Sequence, residues 1–67
     1  MQIKLNGEPH DVPDETSISN LISLLNLTQE RLAIEVNQEV VRWAAWPATI
    51  LHDGDRVEIV HFVGGGC

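Results

Sequence analysis

Only one stretch of this chain repeats its apolar residues at a helical spacing. Ile18, Leu21, Ile22 and Leu25 fall at i, i+3, i+4 and i+7 and form one stripe. The other apolar runs are short, and most alternate with polar residues. One helix, of about ten residues, can cover one face of one sheet, so the pattern points to a two-layer α+β architecture. Asp14-Glu15-Thr16-Ser17 supplies its start: Thr16 or Ser17 caps free backbone N–H groups, and the two carboxylates suit the positive end of the helix dipole. Asn26 supplies the stop, because asparagine tolerates the left-handed conformation.

Around this helix the apolar residues run at the period of strands. Met1, Ile3 and Leu5 alternate with Gln2 and Lys4, and Asn6-Gly7 is a two-residue hairpin turn. The return strand, 8–12, contains Pro9 and is followed by Pro13. Proline donates no ladder hydrogen bond, so Pro9 predicts a sheet edge or a strand start. After a connector at 28–31, Leu32, Ile34 and Val36 alternate with Ala33 and Glu35, and Asn37-Gln38-Glu39 turns the chain into a short strand at Val40-Val41. Residues 43–50 are irregular, and Pro47 limits any helix there to a turn. Asp53-Gly54-Asp55 makes a tight turn into a last strand, 56–62, with Val57 and Ile59 on one face and Val60 and Phe62 on the other.

The 67 residues hold one domain at most. The single cysteine, Cys67, excludes an internal disulfide and a cysteine metal cluster. His10, His52 and His61 lie on different elements without ligand spacing, so no metal and no bound cofactor is expected. Ten acidic residues against four basic give a net charge of −6, which disfavours nucleic acid and anionic membranes and favours a basic protein partner. No apolar run approaches membrane-spanning length, and Met1 enters a strand pattern at once. A cytoplasmic location is the expectation.

The last strand leads into Val63-Gly64-Gly65-Gly66-Cys67. Three glycines do not extend a strand, so a domain at 1–63 carrying a flexible tail at 64–67 is expected. A tail without side chains can enter a narrow active site and present its own carboxylate. Extended, residues 63–66 span roughly 13 Å. A bulky side chain at Gly65 would block such a channel. Val60 and Phe62 form an apolar patch beside the tail or complete the small core. Trp46 is expected at the core edge, and Trp43 at the rim or on a contact surface. Glu35, Glu39 and Glu58 face a basic partner or water.

Together, Met1-Gln2-Ile3 with Asn6-Gly7, the run from Leu32 to Asn37, Val40-Val41, Trp46, the run from Asp53 to Val60 and the glycine tail resemble the ThiS family, ubiquitin-like β-grasp proteins that carry sulfur in thiamin biosynthesis. Each piece is common alone; their order covers nearly the whole chain. The resemblance implies a mixed sheet of four to five strands with one main helix on one face. It also implies a protein cosubstrate rather than an enzyme. An E1-like (ThiF-like) adenylating enzyme would use ATP to activate the Gly66 carboxylate. A cysteine desulfurase or other persulfide donor would supply sulfur, and the resulting thiocarboxylate would serve a ThiG-like thiazole synthase. Val60, Phe62 and Trp43 are the candidate docking residues. Two departures stand out. Cys67 follows the glycine on which the family usually ends, so a peptidase is expected to remove it, the alternatives being an inert end residue or a thiol that takes part in the chemistry, and Trp43 sits where the family more often has a polar residue. Carriers for molybdopterin or for cysteine and other sulfur metabolites, a ubiquitin-like protein modifier and an interaction module without tail chemistry are the alternatives.

Overall fold

The computed structural model describes residues 1–28 and 30–61. Two hairpins flank one helix, and a final strand slots between them. The elements are β1 (Gln2–Leu5), β2 (Glu8–Asp11), α1 (Ile18–Leu24), β3 (Leu32–Val36), β4 (Glu39–Val41), a 3₁₀ helix (Trp43–Ala48) and β5 (Arg56–His61). The five strands form one sheet in the order β2-β1-β5-β3-β4. β5 runs parallel to β1 and antiparallel to β3, which makes the sheet mixed and β5 its centre. This is the β-grasp arrangement that the resemblance implies.

Turn chemistry sets both hairpins. Asn6 and Gly7 have φ of 50° and 86°, and Asn37 and Gln38 have φ of 52° and 70°. Positive φ at both central residues is the geometry whose twist matches two-residue hairpins. Glycine and asparagine adopt it readily; Gln38 does so at a cost. Pro9 lies in β2, an edge strand, as its missing donor requires.

The helix starts where expected. Ser17 is its N-cap, accepting a hydrogen bond from the Asn20 N–H at 3.0 Å. Thr16 instead donates to the Pro13 carbonyl. The acidic pair does not reach the first turn. Glu15 sits at φ 65°, and Asp14 lies 3.2 Å from the Met1 ammonium. Asn26, at φ 58°, follows the Leu25 C-cap, so α1 is seven residues long, shorter than the apolar stripe suggests. Ile18, Leu21 and Ile22 are buried on it, while Leu24 points outward.

Two expectations fail at the 3₁₀ helix. Pro47 does not limit it to one turn; the helix runs for six residues with Pro47 inside. The proline ring fixes φ near the helical value, and its missing N–H removes one bond from an element that already bonds loosely. Trp46 is not at the core edge. It is 2% exposed, and its indole N–H donates to the Val41 carbonyl at 2.9 Å. That bond satisfies the one polar atom of a side chain large enough to fill the space between α1 and β4. The core thus combines Ile3, Ile34 and Val57 from the sheet with Ile18, Leu21 and Trp46 from the covering layer.

Candidate functional site

β5 is the strand that leads to the glycine tail, so whatever holds β5 sets where the tail begins. Alternation assigns its faces. Val57 is buried and Ile59 packs against the core, so Arg56, Glu58 and Val60 lie on the sheet face away from α1. Across the sheet, Glu58 is paired with Glu35, Val60 with Ala33, Glu35 with Val40, and Arg56 with Lys4. The open face therefore carries a cationic pair, then an acidic pair with Val40 beside it, then Val60 beside Ala33. Val60 is 52% exposed and Val40 is 70% exposed.

Two asparagines, each the first residue of a hairpin turn, fasten β5 from opposite sides. Asn37 accepts the Arg56 N–H on its side chain at 3.0 Å and donates its own backbone N–H to the Arg56 carbonyl at 2.8 Å. On the other flank, β1 ends in the turn while β5 continues. Asn6 bridges that gap: its side-chain oxygen accepts the Ile59 N–H at 2.8 Å, and its amide donates to the Ile59 carbonyl at 3.4 Å. One side chain thus replaces the next rung of the ladder. The Asn6-Gly7 dipeptide is legible as a turn. Its second role is not, because it depends on β5 outrunning β1, a tertiary fact.

Trp43 occupies a different surface. It is 65% exposed, opens the 3₁₀ helix on the helix-bearing side, and lines a groove of about 740 Å³ with Thr28, Glu30, Arg31 and Leu32. Leu32 is the register partner of His61, so this groove and the open face flank the end of β5 from opposite sides. The structure therefore separates Trp43 from Val60. Phe62, Gly64, Gly65, Gly66 and Cys67 lie outside the described residues. Lys4, Ala33, Val40 and Arg56 were not singled out by the sequence reading as docking residues. Strand parity contains the information, but only after the strand order places β5 between β1 and β3.

Among the described residues no cluster of His, Cys, Asp or Glu could hold a metal, and no helix is long and apolar enough to cross a membrane.

The ThiS family model matches residues 3–66. The chain belongs to the ThiS family. Members of this family are small sulfur carriers of thiamin biosynthesis, cosubstrates rather than enzymes. The chain is 34% identical over 65 residues to the sulfur carrier protein ThiS of Bacillus subtilis, covering 96% of this chain and 98% of that one. It superposes on the crystal structure of the thiamine biosynthesis protein ThiS from Geobacter metallireducens with a TM-score of 0.86 at 38% identity, covering 98% of this chain and 100% of that one. It is also 41% identical over 66 residues to a protein of Magnetococcus marinus named thiazole synthase. That match covers 98% of this chain but only 20% of the relative, so the chain spans about a fifth of that protein's length.

Proposed function

We propose that this ThiS-family chain delivers sulfur to thiazole synthase as a thiocarboxylate on Gly66. Family membership across residues 3–66 carries the reading. The matched span includes all three tail glycines and stops one residue before Cys67, which supports Gly66 as the acyl residue and Cys67 as an appendage that a peptidase removes.

A carboxylate is a poor electrophile, so the Gly66 carboxylate first attacks the α-phosphate of ATP on an E1-like enzyme, releasing pyrophosphate and forming an acyl-adenylate. The terminal sulfur of a persulfide, from a cysteine desulfurase or similar donor, adds to the acyl carbon and AMP departs. A second thiol then cleaves the sulfur–sulfur bond, forming a disulfide and freeing the thiocarboxylate. The domain contributes position: β5, held by Asn6 and Asn37, aims the tail. The open face around Val60 and Val40 is the docking surface, to which the sequence reading adds Phe62, and Trp43 marks the opposite rim. The thiazole synthase relative, which contains a segment like this chain, supports thiazole synthase as the acceptor.

The test is ATP–pyrophosphate exchange by an E1-like adenylating enzyme from the same host. It should be run on the full chain, on a chain ending at Gly66, and on one ending at Gly64. Exchange with the chain ending at Gly66, and neither of the others, is the expected result. Equal exchange with the full chain would remove the need for trimming. No exchange with any of the three would refute tail activation.

A further inference from the structure

The open face carries two like-charge pairs. Lys4 and Arg56 are neighbours in parallel register, and Glu35 and Glu58 are opposite one another in antiparallel register. Like charges placed side by side weaken strand pairing. Among the described residues, the ion pairs within 4 Å are Met1–Asp14 and His52–Asp55, so none of these four charges is bridged within the fold. The arrangement is also sparing. The chain has only four basic residues, and two of them stand together here on a molecule of net charge −6. Between them lies a recess of about 210 Å³, lined by Lys4, Gly7, Arg56, Val57 and Glu58.

Along β5 the open face reads cation, anion, apolar at Arg56, Glu58 and Val60, over roughly 13 Å at strand spacing. We infer that this polarity fixes the orientation in which the tail-receiving enzyme docks. A partner carboxylate pairs with Lys4 and Arg56, a partner cation lies over Glu35 and Glu58, and an apolar socket covers Val60 beside Ala33. The inference rests on the proposed carrier function. Turning the domain end for end on the partner would set like charges together, so only one orientation points the tail into the active site. A second copy of the chain fits less well. A twofold that matched Arg56 with Glu58 would place each Val60 over the partner's Gly54 turn and leave the apolar end uncovered.

The experiment compares the chain ending at Gly66 with a fourfold variant, Lys4→Glu, Arg56→Glu, Glu35→Lys and Glu58→Lys. The variant keeps the net charge and both like-charge pairs but inverts the polarity. The probe is the E1-like adenylating enzyme of the same host, read by pyrophosphate exchange. The expected result is a KM raised by about tenfold or more with kcat little changed, and a thermal midpoint like the parent's. Should the variant fail to fold, the neutral pair Arg56→Gln with Glu58→Gln is measured instead, with a smaller rise in KM expected and a weaker dependence on salt. A parent that exchanges well alongside a folded variant of equal KM would overturn oriented docking and leave the carrier reading standing. A parent that does not exchange would remove both. Sedimentation that finds a dimer of the parent, lost in the variant, would assign the face to a second copy and overturn the inference.

Discussion

Gln38 occupies a backbone conformation that its side chain opposes. It sits at φ 70° in the second position of a two-residue hairpin turn, where glycine is the usual solution. Gln38→Gly should stabilise the domain by about 0.5–1 kcal/mol, the left-handed penalty relieved less the entropy gained by the unfolded chain. A urea titration with a raised midpoint and an unchanged slope is the expected outcome. Asn6 poses the opposite case, because its backbone and its side chain have separate tasks. Asn6→Gly keeps the turn at φ 50° but deletes both bonds to Ile59. The Ile59 amide should then exchange with solvent at least tenfold faster, a local loss of about 1.4 kcal/mol, while the Val57 amide changes little. Equal acceleration at both amides would mean that Asn6 supports the whole sheet rather than the end of β5. The first role of Asn6 was legible in the dipeptide Asn6-Gly7. The second was not, since a side chain that substitutes for a ladder rung is defined by two strands of unequal length.

At the scale of elements, periodicity carried most of the information. The stripe Ile18, Leu21, Ile22 and Leu25 located α1 and its buried face, and Asn26 located its end. Leu21→Ala should cost about 3 kcal/mol, because it opens a cavity in a side chain fully excluded from water. Leu24→Ala, on the outward face, should change stability by no more than about 0.5 kcal/mol. Equilibrium denaturation of the two variants checks the assignment, and similar losses would contradict it. What periodicity could not give was the stretch from Trp43 to Ala48. Its 3₁₀ helix owes its place to Trp46, whose ring fills the core and whose N–H is met by Val41, and neither partner is visible in local pattern. The apparent helix-start acids misled for a related reason. Glu15 takes a left-handed turn, and Asp14 is drawn to the Met1 ammonium before the helix begins.

The whole molecule is organised around one central strand, β5, which leads in sequence to the glycine tail. Strand order was not written in any single segment, although the number of strands and the single covering helix were. The resemblance implied a mixed sheet of four to five strands under one main helix, and the order the sheet adopts is β2-β1-β5-β3-β4. Only that order brings Lys4 beside Arg56 and Glu35 beside Glu58 on one face. It also separates Trp43 from Val60, which local reading had grouped. A substitution in the tail should leave this body untouched. Gly65→Val should leave the thermal midpoint within about 2 °C of the parent. It should lower kcat/KM for pyrophosphate exchange by about a hundredfold, because a branched side chain obstructs a narrow channel and restricts the backbone. The most direct measurement is the intact mass of the untagged chain ending at Gly66 after incubation with the host's activating enzyme, ATP, a persulfide donor and a thiol. Replacement of one oxygen by one sulfur at the Gly66 carboxylate is the expected result. A chain whose mass stays unchanged in a mixture that converts a known ThiS carrier would contradict the carrier function.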